Sequence, residues 1–253
     1  MKTSTVSPHV QVMNTVFDMK PLPRKRRIWL YLPPDYAHSG RAYPVIYMQD
    51  GQNLFDNATA FAGEWGIDKY MATLPDDQNA IIVGIENGSE HRLAEYTPIQ
   101  HPKHGGGEAK AYLDFVAHNL KPHMDSHYRT LPERENTCLW GSSLGGILAF
   151  WGAITHPHVF GKIGAFSPAF WIVPDWTFHI ETAHHQPQPR IHIVGGTRES
   201  KYMVAHCKEA TKILRKKGFS RKNLKLTIIP EATHSEYFWG TQFPNAYQFL
   251  MLS

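Results

Sequence analysis

The chain has 253 residues, 42% of them hydrophobic and 12% aromatic, the make-up of a globular protein with a sizeable core rather than of a disordered segment. No stretch approaches the roughly 20 consecutive apolar residues of a membrane span, so no membrane partner is expected. The two cysteines, Cys138 and Cys207, are too few and too far apart for a disulfide framework or a zinc cluster. The formal charge of +4 gathers at residues 24–27 and 215–222 instead of forming a basic stripe interleaved with aromatics, which argues against a nucleic-acid partner.

Residues 1–18 lack the charged start, apolar run and small-residue cleavage site of a secretion signal, and a reducing cytoplasm is the expected location. Residues 9–17 and 27–32 follow one another with no helical pattern between them and are expected to pair antiparallel. Further β-branched runs bounded by turn residues come at 44–48, 80–85, 137–140, 162–166, 190–194 and 224–229. Helices are expected at 66–74, 109–124, 144–155, 201–217 and 244–250. The clearest is 109–124, where Leu113, Val116, Ala117 and Leu120 share one face at 3.6-residue spacing. The cations before Gly218 suit a helix carboxyl terminus, so one of the two basic clusters has a structural reason. Strand and helix alternating in this way imply an α/β class. The expected architecture is a mostly parallel sheet of about eight strands, covered on both faces, in a single domain over 1–253.

The segment TCLWGSSLGGILAF at 137–150 runs from an apolar strand through G-x-S-x-G into an apolar helix. Acyl transfer to a serine needs the hydroxyl raised at a tight strand-to-helix turn, with small residues two positions either side. Gly141 and Gly145 meet that need for Ser143, whereas Ser142 has no such flanks and is read as support for the turn. The turn also places Ser143 at a helix amino terminus, where the N–H of Leu144 is a candidate oxyanion donor.

In this architecture an acid and then a histidine follow the serine, each after a later strand. Glu199 lies beyond 190–194 and His234 beyond 224–229, and they become candidate orienting acid and general base. Asp175, after the preceding strand, is the alternative acid, and a Ser-His dyad is a third arrangement. The loop after 44–48 carries Asp50-Gly51-Gln52, with Gln52 N–H as second oxyanion candidate and Gly51 read as letting the backbone approach substrate. His104-Gly105-Gly106-Gly107 imitates a lipase oxyanion motif but stands at the wrong place in the strand order, and is read as a flexible loop near the site mouth. No metal and no cofactor are expected, since H-E-x-x-H and paired Cys/His spacings are missing.

Taken together, MQDGQNLFD at 48–56, RLAEYTP at 92–98, YRT at 128–130, GSSLGG at 141–146, FSPAFW at 166–171 and GGTRE at 195–199 resemble the Putative esterase family. This is the esterase D-like, siderophore-esterase-like branch of the α/β hydrolases. The resemblance spans roughly residue 27 to the end. It implies an α/β-hydrolase fold, esterase activity, and the same roles for Ser143, His234 and the loop at Gln52. Some members manage without a conventional triad acid.

The reaction expected is hydrolysis of a small-molecule carboxylic ester through an acyl-enzyme, on an aryl, sugar-linked or siderophore substrate. An acyltransferase using the same acyl-enzyme and a catalytically silent binding module are the competing readings. Pocket candidates are Trp65, Arg92, Tyr96, Phe170, Trp171 and Trp176, all in loops expected near strand carboxyl ends, with Arg92 meeting either an acidic substrate or Glu95. The sequence specifies no oligomeric state.

Overall fold

The β-branched runs pair into an eight-stranded sheet in the computed structural model, which describes residues 2–252. In chain order the strands are β1 (Val10–Val12), β2 (Phe17–Asp18), β3 (Lys25–Arg26), β4 (Ile28–Tyr31), β5 (Val45–Gln49), β6 (Ile81–Ile85), β7 (Thr137–Ser142), β8 (Lys162–Phe166), β9 (Arg190–Gly196) and β10 (Leu224–Ile229). β2 and β3 form a ribbon of their own, and the large sheet has the order β1-β4-β6-β5-β7-β8-β9-β10. β4 is antiparallel to both β1 and β6, and every pairing from β6 across to β10 is parallel. This is an α/β-hydrolase sheet, as expected from segments that lack an intervening helix only at the start of the chain.

Side chains alternate across the sheet, so two apolar layers form. Along β5, Val45 and Tyr47 join one cluster with Leu113 and Leu148, while Ile46 and Met48 join the other with Trp140, Phe243 and Tyr247. All residues of β5, β6 and β7 are buried, which is why these strands read as continuous apolar runs. The strand order reverses at β5, which has β6 on one side and β7 on the other. The carboxyl ends of β5 and β7 therefore flank a crevice, the usual ligand position in an open parallel sheet.

The helix Leu144–Thr155 has the bounds expected of it. The one at 109–124 is realised as Ala109–Phe115, a wider π turn at Val116–Leu120, and Lys121–His127. The wide turn ends just before Pro122, which has no N–H to offer the helical ladder. The last helix departs most from expectation, running Glu236–Met251 instead of beginning at Pro244. Ser235 caps it, accepting from Phe238 N at 3.3 Å, and Phe238, Phe243, Tyr247 and Leu250 are buried. That apolar face holds the helix together through the proline. Among the described residues no helix is long and apolar enough to cross a membrane.

The three arginines of the basic cluster at 24–27 are paired with carboxylates of the same chain. Arg26 reaches Glu95 at 2.6 Å, Arg24 reaches Glu95 at 3.2 Å and Glu108 at 2.5 Å, and Arg27 reaches Glu86 at 2.9 Å. Cys138 and Cys207 are free and buried.

Candidate active site

β7 ends in Gly141-Ser142, and the chain turns at Ser143 into the helix Leu144–Thr155. Ser143 has φ 56° and ψ −118°, a conformation that costs a non-glycine residue about 1–3 kcal/mol and persists only where neighbours enforce it. They do so through the main chain. Ser143 N donates to Phe166 O at 2.9 Å, and Ser143 O accepts from Ala169 N and Ile147 N, both at 3.1 Å. Glycine is required on either side: a Cβ on Gly141 would stand 2.6 Å from Gly145 O, and one on Gly146 would stand 2.6 Å from Phe166 O. The result is a serine pushed out at the amino terminus of an apolar helix. The Leu144 N–H begins that helix and donates to no backbone group among the described residues.

Ser143 and His234 line one cleft of about 560 Å³ at the sheet's carboxyl edge, together with Gln52, Arg92 and Trp239. Among the described residues no hydrogen bond joins Ser143 to His234, whose hydrogen bond is to Glu199. His234 Nδ1 lies 2.5 Å from Glu199 Oε2, which leaves the ring's Nε2 outside this bond. The Glu199 side chain is only 1% exposed. Its other oxygen accepts from Ser167 Oγ at 2.9 Å and from the Gly196 amide. Trp239 Nε1 in turn donates to Ser167 Oγ at 2.8 Å, and the Trp239 ring stands edge-on to His234 at 4.9 Å. Asp175 instead precedes the helix Trp176–Thr182 and makes no hydrogen bond with His234 among the described residues.

The opposite wall is the loop after β5. Asp50 adopts φ 58°, and its carboxylate takes a fork from Arg92, Nε and a terminal nitrogen each at 2.7 Å, and a third bond from Asn87 Nδ2 at 2.7 Å. Burial works to lower the Arg92 pKa, but the Asp50 charge and hydrogen bonds outweigh it, and the guanidinium is held above its ordinary value. Arg92 thus reaches the cleft already paired, with Asp50 and not with Glu95, which belongs to Arg26 and Arg24. Gln52 Oε1 accepts from Asn87 N at 3.2 Å, so the residue carrying the second candidate N–H is tied into the same cage. Gly51 serves packing: a Cβ there would stand 2.6 Å from the Gly84 backbone on β6, which corrects the expectation that it opens the way to substrate.

Of the expected pocket residues only Arg92 lines the cleft. Tyr96 and Phe170 are 0% exposed and Trp65 is 7% exposed, so they have no surface to offer a ligand. Trp65 packs on Phe166 and Trp239, and Phe170 on Phe150 and Trp176. Trp171 is exposed and meets His104 edge-on, and is not among the residues lining the cleft. The loop at 104–107 is a tight bridge between His101 and Gly105, with Gly106 pressed on Thr97, and does not line the cleft either. Residues that the sequence did not single out, Asn87, Phe61 and Trp239, line it instead. Among the described residues no group of three or more His, Cys, Asp or Glu could hold a metal ion.

The family model described as "Putative esterase" matches residues 20–250. The chain belongs to this esterase family. As a member it is a carboxylic-ester hydrolase. It is 28% identical over 239 residues to the uncharacterized protein YbbA of Bacillus subtilis, with 89% of this chain and 92% of YbbA covered. It is also 28% identical over 155 residues to the iron(III) salmochelin esterase of Escherichia coli O6:H1, with 61% of this chain and 34% of that protein covered. The fold resembles the enterobactin esterase FES of Shigella flexneri, with a TM-score of 0.75 at 18% identity, covering 97% of this chain and 60% of that one.

Proposed function

We propose that this esterase works through an acyl-enzyme on Ser143, with His234 as general base and acid, Glu199 as the orienting carboxylate, and the amides of Gln52 and Leu144 as oxyanion donors. The carrying observation is that a serine in a strained turn shares one cleft with a histidine whose Nδ1 is 2.5 Å from a buried glutamate. His234 Nε2 takes the Ser143 proton as Oγ attacks the ester carbonyl. Negative charge grows on the carbonyl oxygen, where amides fixed by the helix start and by the Asp50 cage need no reorganisation to meet it. The imidazolium then protonates the departing alkoxide, and water enters by the same route in reverse to release the acid.

The substrate class we assign is an aryl or siderophore ester, taking the salmochelin and enterobactin esterases among its relatives as the guide. The whole chain is proposed to act as one α/β-hydrolase domain in a reducing cytoplasm, which suits two unpaired cysteines. The test is turnover of p-nitrophenyl acetate before and after a serine-directed phosphonate, read with intact mass. A single adduct on Ser143 coincident with loss of turnover is expected. Ser143→Ala and His234→Ala should each lose about 10³-fold or more in kcat, with little further loss in the double variant. Independent, additive losses would refute the shared mechanism.

A further inference from the structure

We propose that Phe61 is an aromatic platform for a planar group of the substrate, and that the amino-terminal arm, residues 2–7, sets its position; this rests on the ester-hydrolase reading above. Phe61 lines the cleft with Ser143 and His234, yet its side chain is 87% exposed and makes no ring contact among the described residues. The other aromatic residue lining the cleft, Trp239, is already committed to Ser167 and His234. An open ring on a mobile loop would mean little, but the backbone here is fixed on both sides. Phe61 N donates to Asn53 Oδ1 at 3.0 Å, and Phe61 O accepts from Lys2 Nζ at 3.2 Å. A fixed backbone presenting a bare ring has settled its ordering cost before the ligand arrives, the condition under which stacking yields binding.

The arm holds the loop at several further points. Lys2 Nζ also donates to Ala60 O at 2.8 Å, Ser4 Oγ donates to Asp56 Oδ2 at 2.9 Å, and Thr5 N donates to Asp56 Oδ1 at 3.0 Å. Asn57 N returns a bond to Thr5 Oγ1 at 2.9 Å, and Ser7 N is anchored on Asp68 at 2.8 Å. The loop is joined to the proposed oxyanion wall as well, since Thr59 Oγ1 donates to Gln52 O at 2.8 Å. Phe61 therefore stands at a set distance from the reacting centre, suited to gripping the part of the ester that projects from it.

Three esters separate the possibilities: benzyl acetate, methyl phenylacetate and ethyl acetate. In Phe61→Ala, kcat/KM on at least one aryl ester should fall about tenfold through KM, while ethyl acetate stays within about twofold. Phe61→Tyr, which keeps the ring, should retain aryl turnover. Removing residues 2–7, which are exposed or half-exposed and outside the core, should raise KM for the same aryl ester about threefold with kcat on ethyl acetate unchanged. Equal losses on all three esters, or none on either aryl ester, would overturn the platform. A Phe61 effect without an arm effect would overturn the arm's part. A wild-type protein inert toward all three would instead bring down the hydrolase reading, and this inference with it.

Discussion

Ser143 and His234 face each other across one cleft but are held in different ways. Ser143 is fixed by main chain: its amide and carbonyl are both bonded to the β8 side, and Gly141 and Gly146 are pressed against backbone that cannot move aside. His234 is fixed by side chains, through Glu199 to Ser167 and on to Trp239. The position of the proposed nucleophile is thus a property of the fold, and disturbing it disturbs folding. The position of the proposed base is a property of a hydrogen-bond chain, which can be altered while the fold stands.

Beyond Ser143 and His234 themselves, the largest effect is expected at Glu199→Gln. The amide keeps the volume but faces His234 Nδ1 with a donor, forcing the proton to Nε2, and kcat should fall about 10³-fold with little change in thermal midpoint. Near-normal kcat would show that the base is oriented by something else. Gly146→Ala should break the comparison's other half: with Cβ 2.6 Å from Phe166 O, it should cost about 1–3 kcal/mol in urea unfolding, and activity should fall in parallel. Unchanged stability would mean that the serine turn is not locked by the main chain.

Ser167→Ala should have the smallest effect, about threefold in kcat, because Gly196 N still supports Glu199. A loss as large as that at Glu199→Gln, measured on p-nitrophenyl acetate, would show that Ser167 and not the Gly196 amide holds the carboxylate in place.

The parts of the site that the sequence disclosed are those governed by backbone. G-x-S-x-G between an apolar strand and an apolar helix pointed to Ser143, and the order of later strands to Glu199 and His234, as candidates that the fold brings to one cleft, because turn geometry and strand succession leave local marks. Ser167 and Trp239 left none, since their bond joins residues 72 positions apart and has no local pattern. The aromatics misled for a related reason. Trp65, Tyr96 and Phe170 do follow strand ends, but loops above a parallel sheet need apolar filling as much as ligands need walls. Arg92 and Glu95 share a short helix, yet Glu95 turns toward Arg26 and leaves Arg92 to Asp50, a partner 42 residues away. Pro244 suggested a helix start, and only the Ser235 cap and the packed face beyond it reveal a helix that begins earlier.

Both cysteines of the chain lie out of chemical reach. Burial pushes the Cys138 and Cys207 thiols up to about 12, so neither supplies appreciable thiolate at neutral pH. Thiol-directed reagents should therefore spare both cysteines while the fold stands, and a cysteine introduced on the surface should be the one that reacts. A fluorophore or surface linker could be attached there without first removing the native pair.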